Sequence, residues 1–160
     1  MSETIALGAD HAGVDLKDHL GELLRARGHQ VLDLGTHGSD AVDYPDFAEA
    51  VGRAIQDGRA VRGVLVCGSG AGASIAANKL EGVRAAVCHD TYSAHQAVEH
   101  DDMNVLCMGS RIVGAAVAEE LLDAWLGARF TGEERHQRRL DKVIALEQHA
   151  APRSHEESPA

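Results

Sequence analysis

The stretch VLVCGSGAGASIAANK, residues 64–79, decides how the rest of the chain is read. An apolar run ends in Cys67, a turn of small residues follows (Gly68, Ser69, Gly70, Ala71, Gly72), and Ala73 leads into small helix formers. A short apolar run, broken by glycines and then by a helical pattern, reads as a buried parallel strand feeding a helix. Glycines let the backbone turn tightly and bring bare N–H groups close to a ligand. The start of a helix adds unpaired donors and partial positive charge, so the turn suits an anion or a developing oxyanion. A thiol placed there ionises more easily. The stretch therefore predicts an anion cradle beside an activatable base. It has neither the GxGxxG spacing of a dinucleotide site nor the GK[ST] ending of a P-loop.

Working outward, the same alternation recurs on both sides. Strands are expected over residues 4–7, 31–34, 63–67, 83–88 and 104–108. Helices are expected over about 13–27, 45–57, 71–79, 92–99, 112–126 and 133–148. Gly28 stands where a helix C-cap belongs and Pro45 where an early helical residue does. Five strands alternating with helices predict a three-layer αβα sandwich around a five-stranded parallel, Rossmann-like sheet. The last helix follows no strand and must pack elsewhere, for instance on a second subunit. Residues 1–149 are expected to form one domain, and the polar, proline-containing residues 150–160 a disordered tail.

Composition narrows the functional classes. Fifteen basic against 25 acidic side chains give a net charge of −10, which argues against nucleic acid or an anionic membrane as partner. An anionic ligand must then be caught by a local basic cluster. No apolar run reaches the roughly twenty residues of a membrane span, and the N-terminus lacks the pattern of a signal peptide. Three cysteines in or at the end of apolar runs suggest reduced thiols in a cytoplasmic protein. Without CxxC or HExxH, a zinc site has little sequence support.

Ligands of open α/β sheets bind outside the carboxyl ends of the strands. Asp10 and His11 follow the first strand, Cys67 and the glycine turn the third, and His89 and Asp90 the fourth. His100, Asp101 and Asp102 precede the fifth and Arg111 follows it, so the polar residues are expected to crowd one edge. Each has a plain structural reading as well. Asp10 can be a helix cap, Cys67, Cys88 and Cys107 small buried hydrophobes, and His100 a surface imidazole. Arg135, Arg138 and Arg139 can be a solvated helix face. Taken together they also make a carboxylate, a thiolate, an acid/base imidazole and a guanidinium clamp for phosphate.

Five ordered blocks carry a family resemblance: GADHAG (8–13), CGSGAGASIAANK (67–79), CHDTYSA (88–94), HDDMNVLCMGSR (100–111) and RHQRR (135–139). With them the chain resembles, from about Ile5 to Gln148, ribose-5-phosphate isomerase type B, a family that includes the galactose-6-phosphate isomerase subunits. The resemblance implies a metal-free, cofactor-free aldose–ketose isomerase of phosphorylated sugars working through an enediolate. It implies Cys67 as the base moving a proton between C1 and C2. Part of the family uses an acid in the glycine loop instead, and the matching position here is Ala73. Ser69 and the N–H groups of Gly70 to Ala73, with Gly68, would hold the enediolate oxygens. Asp10 and His100 would assist ring opening, and His11, Arg111, Arg135 and Arg139 would bind phosphate.

The resemblance further implies a homodimer or dimer of dimers whose sites combine residues of two subunits. Asp101 departs from it, standing where relatives commonly carry Asn; an amide donates to a substrate oxygen, whereas a carboxylate only accepts. The expected reaction is ribose 5-phosphate to ribulose 5-phosphate. Galactose 6-phosphate, allose 6-phosphate or a tetrose phosphate are the alternatives, and behind them a non-catalytic phosphosugar-binding module. A cysteine hydrolase or redox protein is disfavoured by the missing CxxC.

Overall fold

Apolar runs and amphipathic stretches resolve, in a computed structural model that describes residues 1–149, into alternating strands and helices. In chain order these are β1 (Thr4–Ala9), α1 (Val14–Ala26), β2 (Gln30–Asp33), α2 (Tyr44–Gln56), β3 (Arg62–Cys67) and α3 (Ala71–Ala77). β4 (Ala85–Val87), α4 (Thr91–Asp101), β5 (Val105–Gly109), α5 (Ala115–Gly127) and α6 (Glu134–His149) complete the order. The strands form one parallel sheet in the order β2-β1-β3-β5-β4. The expected tail, residues 150–160, lies outside the described residues.

Side chains of successive strand residues point to opposite faces, and both faces are covered. Ile5, Leu7, Val64, Val66, Leu106 and Met108 pack under α1, α4 and α5, through Leu20, Leu24, Val98, Leu121, Leu122 and Trp125. Their neighbours Ala6, Leu65, Val105 and Cys107 pack under α2 and α3, through Ala48, Val51, Ala54, Ala73 and Ala77. The three layers expected from the sequence are there. α6 stands outside them and lies against α4, burying His136 and Leu140.

The strand order reverses between β1 and β3, which opens a crevice beyond their carboxyl ends. Gly13 makes that crevice tight, because a Cβ there would come within 2.3 Å of the Val66 carbonyl oxygen. Among the described residues no helix is long and apolar enough to cross a membrane.

Three of the elements that depart from their expected bounds do so for a visible local reason. The helix expected from residue 112 begins at Ala115, because the N–H groups of Ile112 and Val113 both turn back onto the Gly109 carbonyl (3.0 and 3.1 Å). The strand expected over 83–88 pairs only at Ala85–Val87, the Arg84 N–H being taken by the Asn104 side chain at 2.8 Å. The helix expected over 92–99 runs from Thr91 to Asp101 and so contains His100 and Asp101. The Asp90 carboxylate accepts from the Ser93 N–H at its start (2.7 Å), and Asp102, at φ 51°, ends it in the left-handed region.

Candidate active site

Cys67 is the last residue of β3, almost fully buried, and the chain leaves it through Gly70 at φ 81°. That left-handed residue has no room for a side chain, since a Cβ would come within 2.9 Å of the Met108 carbonyl carbon. The turn folds the Gly70 N–H back onto the Cys67 Sγ at 3.1 Å. The sulfur is thus fixed by a backbone donor at the mouth of the turn. The Ser69 Oγ accepts from the Ala71 N–H (3.2 Å), which leaves its own proton free to donate outward. Gly72 and Ala73 follow in the first turn of α3, where N–H groups have no intrahelical acceptor.

The other two cysteines are different. Burial, and secondly the Asp90 charge, push the Cys88 thiol up to about 11. Burial likewise holds the fully enclosed Cys107 thiol far above its ordinary value. Both remain neutral hydrophobes at physiological pH, as their plain reading expected.

Three further groups ring the turn from neighbouring strand ends. The Arg111 N–H bonds the Gly68 carbonyl at 3.1 Å, and its guanidinium lies beside Gly68, Nη1 3.4 Å from where a Cβ would stand. Among the described residues it forms no ion pair, so this cation is available to an anion. Asp10 is buried, and its Oδ1 accepts from the N–H groups of Ala12 and Gly13 (3.0 and 3.2 Å), ordering the entry to α1. The plain reading of Asp10 as the helix cap is corrected: α1 is capped at Gly13 without a side-chain hydrogen bond, and Asp10 orders the turn before it, with Oδ2 left over. His11 is exposed and its Nδ1 accepts from the Val42 N–H at 3.2 Å, which assigns the proton to Nε2, facing outward as a donor.

Tyr44, the first residue of α2, was not singled out by sequence. Its ring closes over the turn at Gly72. No local pattern announces such a contact, because it joins two helix starts far apart in the chain.

His100, Asp101, Arg135 and Arg139 gather elsewhere. α4 leaves the carboxyl end of β4 and returns to the amino end of β5, so its last turn lies at the opposite end of the sheet from Cys67. The register pairs Cys67 with Gly109, at the far end of a five-residue strand. At about 3.3 Å per residue the two groups stand roughly 13 Å apart or more. The expectation that all polar residues crowd one edge is corrected accordingly: residues preceding a parallel strand sit opposite those following one.

This second cluster has its own order. The His100 ring stacks on His136 with centroids 3.9 Å apart, and its Nδ1 lies 2.9 Å from the Gln96 amide nitrogen. His136 bonds the Thr131 hydroxyl at 2.6 Å through Nδ1 and accepts from the Arg135 Nε at 3.3 Å. Burial, then the neighbouring His100, hold the His136 pKa below its ordinary value. Arg135 also pairs with Glu133 at 3.0 Å. Arg139 and Asp101 line a groove of about 1050 Å³ between α6 and the α3–β4 connection, walled by Leu80, Val143 and Leu146. This groove thus belongs to the second cluster, and none of its lining residues comes from the Cys67 turn. Among the described residues no group of three His, Cys, Asp or Glu is placed to hold a metal ion.

The chain from residue 5 to residue 143 matches the family described as Ribose/Galactose Isomerase. It is 47% identical over 144 residues to ribose-5-phosphate isomerase B of Escherichia coli, covering 90% of this chain and 96% of that one. It is 44% identical over 131 residues to a D-erythrulose-4-phosphate isomerase of Pectobacterium atrosepticum, covering 81% and 86%. Its fold superposes with a TM-score of 0.87, at 41% identity over 92% of this chain and 98% of the other, on ribose-5-phosphate isomerase B of Mycoplasma genitalium with bound ribulose 5-phosphate. Matched over residues 5–143 and nearly half identical to a curated member across most of both lengths, the chain belongs to the ribose/galactose isomerase family.

Proposed function

We propose that the chain is a sugar-phosphate isomerase that interconverts ribose 5-phosphate and ribulose 5-phosphate. The observation that carries this is the Cys67 sulfur accepting the Gly70 N–H, inside a turn of backbone donors flanked by the Arg111 guanidinium, which forms no ion pair among the described residues. In the open-chain aldose the Cys67 thiolate takes the proton from C2. Charge moves onto O1, where the Ser69 hydroxyl and the N–H groups of Gly70 to Ala73 bear it as an enediolate. The same sulfur returns its proton to C1, and the hydroxyl proton passes from O2 to O1, giving the ketose. The scheme draws on no cofactor or metal: the turn's donors bear the charge.

Arg111 and His11 hold the phosphate from the same chain. His100, Asp101, Arg135 and Arg139 stand at the wrong end of the sheet to serve their own Cys67, and we propose that they serve that of a second copy. There His100 and Asp10 open the furanose, and Arg135 and Arg139 complete the phosphate clamp. The working unit is then a homodimer, or a dimer of dimers, of chains whose residues 1–149 form one catalytic domain. Its three unpaired cysteines suit the cytoplasm.

Turnover of ribose 5-phosphate by the purified protein tests the reading, and Cys67→Ala should lower it by at least about 10²-fold, the scale of a lost acid–base group. Undiminished turnover in that variant removes Cys67 as the base. A four-carbon substrate is the second reading. It is favoured by the 44% identical erythrulose-4-phosphate isomerase and by Asp101, and a panel of aldose phosphates separates the two.

A further inference from the structure

We infer that His89 is a positioning residue for the Cys67 turn, acting through the backbone of Gly109. β4 is a three-residue edge strand, and its ladder with β5 ends where the Cys88 N–H bonds the Cys107 carbonyl at 3.1 Å. The Gly109 N–H lies beyond the reach of β4, and the Nε2 of His89 accepts it at 2.9 Å. A side chain thus stands in for the missing strand carbonyl. To accept, Nε2 must carry no proton.

Gly109 is the residue on which the turn rests. A Cβ there would come within 2.7 Å of the Ser69 carbonyl carbon and 2.8 Å of the Gly68 oxygen. From the other side, a Cβ on Gly70 would lie 3.2 Å from the Gly109 nitrogen, the same nitrogen that His89 holds. Gly70 in turn donates to the Cys67 sulfur at 3.1 Å. The next residues of the segment continue the support: the Ser110 N–H bonds the Cys67 carbonyl (2.9 Å) and the Arg111 N–H the Gly68 carbonyl (3.1 Å). His89, Gly109, Gly70 and Cys67 therefore form one continuous path of contacts. Losing the acceptor leaves a backbone donor unpaired. The cheapest repair is a shift of residues 108–110 that carries the turn with it. Catalytic geometry is intolerant of such shifts, about 1 Å costing up to 10²-fold.

The test compares His89→Asn with His89→Gln. Both are neutral amides, but only the Gln Oε1 reaches the place of Nε2. In His89→Asn kcat should fall about 10-fold with KM within about twofold of wild type, and His89→Gln should restore most of it. This kinetic arm rests on the proposed isomerase activity. A second arm does not: the rate at which iodoacetamide labels Cys67, read by mass on its peptide, should drop several-fold in His89→Asn and recover in His89→Gln. Melting temperatures confirm that both variants are folded. Equal labelling rates in wild type, Asn and Gln forms overturn the inference. A wild type inactive on every sugar phosphate, yet with labelling rates ordered as stated, overturns the isomerase reading and leaves this one standing.

Discussion

The ring of Tyr44 occupies the space that a side chain at residue 72 would need: a Cβ on Gly72 would come within 2.6 Å of the Tyr44 Cζ and 2.8 Å of Cε2. Tyr44 is 41% exposed, so it can swing out when pushed. Gly72→Ala should therefore change the melting temperature by only a few degrees, while kcat/KM falls about 10-fold as the wall of the turn is displaced. Tyr44→Ala should cost a similar amount. The double variant should be scarcely worse than either single one, because both remove the same contact, and a double-mutant cycle on kcat/KM reads this coupling.

The separation of Cys67 from His100 gives a test of the proposed two-copy site. Cys67→Ala and His100→Ala should each be impaired when pure. Unfolded together and refolded as a mixture, they should regain about a quarter of wild-type specific activity. Half the dimers are then mixed, and each mixed dimer has one site with both residues intact. No regain beyond the sum of the two pure variants would place Cys67 and His100 in separate functions.

The thiols should react very unequally. Burial pushes Cys88 up to about 11 and holds Cys107 higher still, so neither is ionised between pH 7 and 9. Alkylation of the folded protein in that range should be confined to Cys67, and all three should react once the chain is unfolded. Peptide mass mapping reads the outcome.

His136 sets an acid limit. Its folded pKa lies below its ordinary value near 6.5, chiefly through burial, so the unfolded chain binds a proton more readily than the native one. Stability rises with pH wherever the unfolded state binds more protons. The contribution is therefore intact above about pH 6.5, is lost as pH falls below it, and levels off under the folded pKa. Urea unfolding between pH 5 and 7.5 should show this slope in the wild type, and it should flatten in His136→Gln.

Much of this molecule was legible in its sequence because the signals were local. The Cys67 turn needed only an apolar run and glycines, and Asp10, His11 and Arg111 betray themselves by standing directly behind predicted strands. The α1 and α3 starts fell within a residue of expectation. The start of α5 did not, because two N–H groups of residues 112 and 113 prefer one carbonyl, a choice with no sequence signature. His100 was recognised as a chemical group but set at the wrong edge, since nearness to β5 in the chain means its amino end. Tyr44 and His89 took their places through contacts between distant elements. His89 stands behind a strand as well, but nothing in a sequence tells which N–H an imidazole will reach.

If the clusters at the two ends of the sheet are complementary halves of one site, as proposed, a single chain cannot serve itself. On the two-copy reading, catalysis here obeys mass action between identical molecules, whereas folding does not. Progressive dilution should then switch the enzyme off while its helices and sheet remain formed, and the protein concentration of half-activity would report the affinity of one copy for another.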